Sequence, residues 1–512
     1  MSRRNSILDP MLMVIHLLRI VVLAAGVLLS SLQAAASDWP QYRGPTFNGV
    51  SAEPIRTNWA AKPPALLWKV SVGPALSTFT VSGGRVFTQV RRTTTSSQEW
   101  CVALDAATGK ELWAKALDKA VYPDGGVGDD DGPRSTPTVD GDRVFVLTSY
   151  LQLYCLRADT GAVVWHRDFP AELGSSVIAW QNAASPLVFG DAVYLNCNAS
   201  GKRLMAVKKS DGTVLWQGQD DRMTQATPVL ATVAGVPQVI FFTQTGLVSV
   251  SPSSGSVYWR YAMSFSTATA ASPVVCGDQV FCSAAYSVGA GLVRVATNGT
   301  STTATQVWKK RGALMNHWST PVYYQGFLYG VFGQSVVSLR CVEVATGVEK
   351  WAEEGVGTGG LLLVGGLLMV QSDDGDVFLV RPDPSGYSEI ARFKAVSGKC
   401  WNVPAISNGR LYVRSTTQAA AYDIAPPVLP KLKLRPELGT VGGGPIVVSA
   451  AAEDGSPLDA SRAGLVELLG STNGVLGPWV VFQTGGVLTN GMLRFQAPTS
   501  QPSTLLRTRE NR

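Results

Sequence analysis

Five glycines stand four residues ahead of a tryptophan at nearly regular intervals: Gly109/Trp113, Gly161/Trp165, Gly212/Trp216, Gly255/Trp259 and Gly347/Trp351. The clearest copy is Ala103-Leu104-Asp105-Ala106-Ala107-Thr108-Gly109-Lys110-Glu111-Leu112-Trp113. Val102 and Leu104 alternate with polar neighbours at strand period. Asp105 to Gly109 is turn chemistry, with Gly109 free to take a positive φ. A lone hairpin is marginal in water, so the copies must pack on one another. Aligned, they place Ala103, Cys155, Ala206, Ser249 and Cys341 in one column of small residues, as close sheet-to-sheet packing requires. Trp68 and Trp308 read as copies with eroded turns, and Phe393 holds an eighth place. From Trp68 to Phe393 the intervals are 45, 52, 51, 43, 49, 43 and 42 residues. Such a period belongs to a propeller or a solenoid.

A second signal runs in phase with the first. A small residue, a proline, an apolar run and a glycine recur at Thr136-Pro137…Gly141, Ser185-Pro186…Gly190, Thr227-Pro228…Gly235, Ser272-Pro273…Gly277, Thr320-Pro321…Gly326 and, with Val403, at Pro404…Gly409. Gly84 and Gly365-Gly366 mark two more without the proline. Proline is tolerated at the first residue of a strand, where no ladder donor is needed. Two hairpins per period make four strands per unit, and eight units close a ring. The expected fold is all-β, an eight-bladed β-propeller, with the aromatic rings wedging blade to blade. Each tryptophan would bury roughly 150–250 Å².

The Ala103–Trp113 stretch resembles the tryptophan-docking motif of the pyrroloquinoline quinone (PQQ) repeat propellers. Trp39-Pro40-Gln41-Tyr42-Arg43-Gly44-Pro45 and Gly132-Pro133-Arg134-Ser135-Thr136-Pro137-Thr138-Val139-Asp140-Gly141-Asp142-Arg143-Val144 resemble the secreted PQQ-like propellers of planctomycete and verrucomicrobial bacteria. The resemblance covers roughly Trp39 to Asp423. That superfamily holds quinoprotein dehydrogenases and non-catalytic relatives such as the outer-membrane assembly propeller. It therefore implies the fold strongly and an activity weakly.

The 512 residues divide by composition. Residues 1–36 read as a signal peptide: Arg3 and Arg4, an apolar run from Ile20 to Leu32, then Ala34-Ala35-Ala36 as a cleavage site. The alternative is an uncleaved anchor, although the apolar run is short for a span of ~20 residues. We expect export to the periplasm or beyond, without stable membrane insertion. No cysteine precedes Cys101, so we expect no lipid anchor and a poor match to the lipid-anchored assembly propeller. Residues 37–425 form the propeller, 426–435 a proline-rich linker and 436–512 a small β-rich C-terminal module, with a hairpin at Asn490-Gly491. The net charge of +6 is carried by scattered residues, which argues against nucleic-acid binding. Seven cysteines leave at least one free thiol. Cys155 and Cys341 fall in the small column as buried thiols, while Cys276 and Cys282 share a hairpin and are the pair to test for a disulfide. The acidic stretch Asp124–Gly132 reads as a solvated loop, with a Ca²⁺ loop as the sharper alternative.

Chemistry is sparse. The histidines are His16, His166 and His317, which disfavours imidazole metal clusters and histidine-activated nucleophiles. The resemblance implies what a quinoprotein dehydrogenase would need: an anionic quinone on Ca²⁺, carboxylate ligands, a catalytic Asp, an aromatic floor and usually an adjacent-cysteine disulfide. No adjacent-cysteine pair exists here. We therefore expect no catalytic residues, no metal site and no resident cofactor, with PQQ and calcium as the alternative. The loops entering the innermost strands should face the mouth of the channel. Three residues before each proline stand Arg134, Ala183, Gln225, Ala270, Trp318 and Trp401. Arg134, Asn182, Gln225, His317, Trp318, Trp401 and Asn402 are the candidate ligand-binding residues, and channel plugging is the plainer role for the two tryptophans. The expected protein is an exported, monomeric, non-catalytic propeller that binds a protein or carbohydrate partner through its loop face. The alternative is a PQQ- and calcium-dependent dehydrogenase of alcohols or sugars.

Overall fold

Each tryptophan repeat folds as an antiparallel four-stranded sheet. In the first, the strands are Thr80–Ser82, Arg85–Arg91, Gln98–Asp105 and Glu111–Lys119, paired in that order. The computed structural model describes residues 38–124, 131–266, 269–299, 301–427, 432–437, 446–458, 462, 464–471, 480–484, 486–497 and 505–510. The signal-peptide stretch and the middle of the acidic stretch lie outside them.

Seven further sheets follow on the same plan. Their innermost strands are Thr138–Asp140, Leu187–Phe189, Val229–Val233, Val274–Cys276, Val322–Tyr324, Gly360–Val364 and Ala405–Ser407. The eighth sheet is built from both ends of the ring. Its outermost strand is Ala65–Ser71, which pairs with Gln418–Asp423 and sets Trp68 opposite Ala421. The first innermost strand packs on both the second and the eighth, which closes the circle.

The small column lies where the repeat placed it. Ala103, Cys155, Ala206, Ser249 and Cys341 sit opposite Trp113, Trp165, Trp216, Trp259 and Trp351, each beside a bulge in the outermost pair of strands. Each ring then docks on the turn of the next sheet. A Cβ on Gly109, Gly161, Gly212 or Gly255 would stand 2.3–2.8 Å from a ring carbon of Trp68, Trp113, Trp165 or Trp216. The indole N–H groups donate to carbonyls of those turns: Trp68 to Ala106, Trp113 to Ala158, Trp165 to Lys209, Trp216 to Pro252, Trp308 to Val344 and Trp351 to Asp383, at 2.7–3.1 Å. Trp259 is the exception. The fifth sheet has no short turn there, because Gly289–Asn298 and Ser301–Lys310 extend the hairpin. Trp259 donates instead to Gln238 Oε1 of its own sheet.

All seven cysteines are free and buried. Cys276 and Cys282 pack into different hydrophobic clusters on opposite faces of their sheet, so they cannot bond to each other.

The chain splits into two compact units at Pro426/Pro427. Among the described residues the second unit has two sheets, one of Leu432–Glu437, Ile446–Ala452, Met492–Ala497 and Val487–Thr489, the other of Val480–Thr484, Val466–Ser471 and Leu505–Glu510. Leu432–Glu437 is thus a strand where the sequence suggests linker. Asn490 and Gly491 both take positive φ, the geometry of a tight two-residue hairpin. Val448, Leu468, Leu493 and Phe495 lie in its core.

Candidate binding cavity

The hydroxyls before the prolines give the ring its inner seam. Thr78 N donates to Thr136 Oγ1 (3.1 Å), Thr136 N to Ser185 Oγ (3.0 Å), Ser185 N to Thr227 Oγ1 (2.9 Å) and Ser272 N to Thr320 Oγ1 (3.0 Å). Thr78 Oγ1 donates to Val403 O of the eighth sheet. At four of the eight innermost strands the entering N–H is thus met by a hydroxyl of the next sheet, which is why Ser or Thr recurs there.

Above this seam opens a cavity of about 360 Å³. All six residues standing three before a proline line it: Arg134, Ala183, Gln225, Ala270, Trp318 and Trp401. His317 and Asn402 join them. Asn182 does not line it. Its amide is fully buried and donates to Thr148 O and Ala184 O, so it shapes the loop from inside.

The sequence reading missed Tyr42, Trp180 and Tyr286, which also line the cavity. Tyr42 arrives by a long-range path. Trp39 bridges to Val81, Pro40 O accepts from Val139 N, Arg43 donates to Thr320 O and Pro321 O, and Val50–Ser51 pairs in parallel with Leu363–Val364. The N-terminal segment thus crosses the channel from the first two sheets to the sixth and seventh. Trp180 sits at positive φ and is held by Asp124, whose carboxylate accepts from Trp180 N (2.7 Å) and Gln181 Nε2 (2.8 Å).

At the end of the acidic stretch Asp131 is not solvated: it is 3 % exposed and pairs with Arg134 at 2.9 Å. Residues 125–130 lie outside the described part.

The cavity is aromatic and almost uncharged. His317 packs 4.2 Å from Trp318, and Trp318 stacks 4.5 Å from Trp401. Burial lowers the His317 pKa to about 4, so its imidazole is neutral at physiological pH. Arg134 is the one Lys or Arg among the described lining residues, which include no Asp or Glu.

Behind Arg134 lies a second buried carboxyl. Glu99 is fully buried, accepting from Tyr122 Oη (2.5 Å) and Ser149 N (3.1 Å). Arg91 and Arg134 lie over the Tyr122 ring, and Asp118 is close enough to oppose ionisation of Glu99. Burial pushes the Glu99 pKa up to about 7 against the pull of its hydrogen bonds. A raised folded-state value means its contribution to stability is whole below the unfolded pKa and is lost as pH rises through about 7. Glu99→Gln removes the charge and mimics the protonated carboxyl: its one amide oxygen can accept from Ser149 N while Nε2 donates to Tyr122 Oη. The variant should match the wild type near the unfolded carboxylate pKa and become the more stable protein about one unit above neutrality. Urea unfolding across that range reads this, and curves that stay parallel overturn it.

Residues 97–331 match the family model described as outer membrane protein assembly factor BamB, the branch set aside at sequence level for want of an N-terminal cysteine. A curated protein of that name from Moranella endobia (strain PCIT) is 27% identical over 173 residues, 32% of this chain. The chain spans 39% of the length of that relative. BamB from Moraxella catarrhalis superposes with a TM-score of 0.50 at 15% identity, covering 70% of this chain and 97% of that one. The quinohemoprotein alcohol dehydrogenase of Comamonas testosteroni gives 0.52 at 12% identity, covering 79% and 83%. Identities this low establish the fold alone.

The dehydrogenase likeness raises a quinone held on Ca²⁺, and the residues present do not fit it. Trp318 and Trp401 offer an aromatic floor, but calcium takes carboxylate and carbonyl oxygens. Among the described residues no carboxylate lines the cavity. Among the described residues no cluster of three His, Cys, Asp or Glu could hold a metal.

Proposed function

We propose that this chain, a PQQ-like β-propeller, is an exported, non-catalytic module that engages a protein partner through the face on which the cavity opens. The observation that carries the reading is the convergence of six equivalent loop positions on one aromatic cavity whose described lining holds no carboxylate. Such a surface can bind and orient, since aromatic groups supply contact area and a few polar groups supply direction. Its described lining holds no carboxylate to serve as the base of an acid–base pair. The match to a family described as an assembly factor supports a protein rather than a sugar as the partner. Among the described residues no helix is long and apolar enough to cross a membrane, which accords with the role of an exported module.

Cross-linking in the source organism, followed by purification and identification of retained proteins, tests this. The wild type should hold a defined envelope protein. The Trp318→Ala/Trp401→Ala double variant should hold at least about tenfold less of it, with unchanged circular dichroism. Equal capture by the double variant overturns the reading. So does reduction of an artificial electron acceptor by protein supplied with PQQ and Ca²⁺.

A further inference from the structure

The cavity has two unlike sides. From the fifth to the eighth sheet it is a continuous aromatic wall of Tyr286, His317, Trp318 and Trp401, with Tyr286 4.9 Å from His317. The wall is continuous because the seventh sheet contributes only Gly359 and Gly360. A Cβ on Gly360 would stand 2.4 Å from Val403 Cγ1, and one on Gly359 1.8 Å from Gln371 O. Without side chains there, the tryptophans of the sixth and eighth sheets can meet.

On the other side, from the eighth sheet round to the second, stand two buried donors. Asn402 is 8 % exposed and the Arg134 side chain 9 %. Asn402 Nδ2 and Arg134 Nη1 have no hydrogen-bond partner. Both flank Thr78, which bonds to Thr136 on one side and to Val403 on the other. A buried donor left unmet is costly, and a ligand that brings an acceptor recovers that cost. Among the described residues no carboxylate lines the cavity to meet them, and Asp131 takes only Nη2 of Arg134.

Resting on the partner-binding reading above, we propose that the cavity receives an aromatic residue adjacent to an aspartate or glutamate, presented by an exposed peptide segment of the protein partner. The ring lies on the Trp318–Trp401 wall. The carboxylate accepts from Arg134 and Asn402, a charge-assisted contact of the kind a guanidinium favours. Trp180, fixed at the rim by Asp124, is placed to cover the flanking backbone. A neutral His317 leaves the middle of the wall uncharged, while the Lys399 ammonium lies over the Trp401 ring, 5.1 Å from its centroid.

Calorimetry on the full chain tests this with blocked hexapeptides bearing a central Phe-Asp, Phe-Asn or Ala-Asp. Phe-Asp should bind at least about tenfold tighter than either control. Asn402→Asp, which replaces a donor by a like charge, should abolish that preference for Phe-Asp over Phe-Asn. Trp401→Ala should weaken both Phe peptides together. Arg134→Gln should act as Asn402→Asp does, and the latter stands in for it where loss of the Asp131 partner prevents folding. Equal affinity for the three peptides overturns the proposal, as does a preference that survives Asn402→Asp. Free phenylacetate binding as tightly as the Phe-Asp peptide also overturns it, in favour of a small free acid. Partner capture that persists in Asn402→Asp after the peptide preference has failed leaves the partner-binding reading standing. Capture unaffected by the double tryptophan variant removes that reading itself.

Discussion

Trp216→Ala is expected to lower the unfolding free energy by about 3–5 kcal/mol, the range for truncating a large buried aromatic. The ring is 8 % exposed and is pressed between two small residues, Ala206 across the strand and Gly255 in the turn of the next sheet. Neither has atoms that could move in to fill the space. The indole N–H also leaves Pro252 O, 2.8 Å away, without its donor. Gly255→Ala attacks the same contact from the other side. Its φ is +70°, and its new Cβ would lie 2.3 Å from the Trp216 ring. Urea unfolding of both variants provides the check. A loss under about 1 kcal/mol for Trp216→Ala would mean that the ring does not join the third and fourth sheets.

Arg43→Met is the second large effect, on the order of 3 kcal/mol. Arg43 is buried with carbonyl acceptors: Nη1 donates to Thr320 O (2.8 Å), and Nη2 to Asn48 O (2.7 Å) and Pro321 O (2.8 Å). Burial pulls its pKa down to about 10, so it remains ionised at neutral pH and its hydrogen bonds are charge-assisted. Methionine follows the stem and strands three carbonyls, each costing about 1–3 kcal/mol, while relief from desolvating the charge returns part of this. The same change frees the crossing segment, so Tyr42 loses its place in the cavity lining. Hydrogen exchange over residues 39–51 should quicken together with the loss of stability. Faster exchange without lost stability, or the reverse, would separate the segment from the ring.

The sequence displays what recurs. A glycine that must take positive φ, a ring four residues on and a small residue across the strand are local demands repeated in five of the eight sheets, so their period is visible in one chain. The positions before the prolines follow the same logic, which is why six of them could be named before the cavity was seen. What does not recur stays hidden. Tyr42 reaches the cavity through a crossing that touches four sheets, and no local pattern reports it. Asn182 stands in the right loop but turns inward, because the carbonyls of Thr148 and Ala184 need its amide. Trp259 carries the repeat's spacing and still lacks the docking contact, since the next hairpin is longer than the others. Asp131 reads as solvent-loving until Arg134 is seen to draw it in.

The eighth sheet takes three strands from one end of the ring and its outermost strand, Ala65–Ser71, from the other. Some 350 residues of chain separate partners that must pair side by side, a separation that makes folding slow. A nascent chain arrested before Gln418 would therefore leave Ala65–Ser71 as an unpaired edge carrying Leu66, Leu67 and Trp68, a ready template for aggregation. Under the export proposed above, late closure would keep the polypeptide threadable until the ring's last strand has been made.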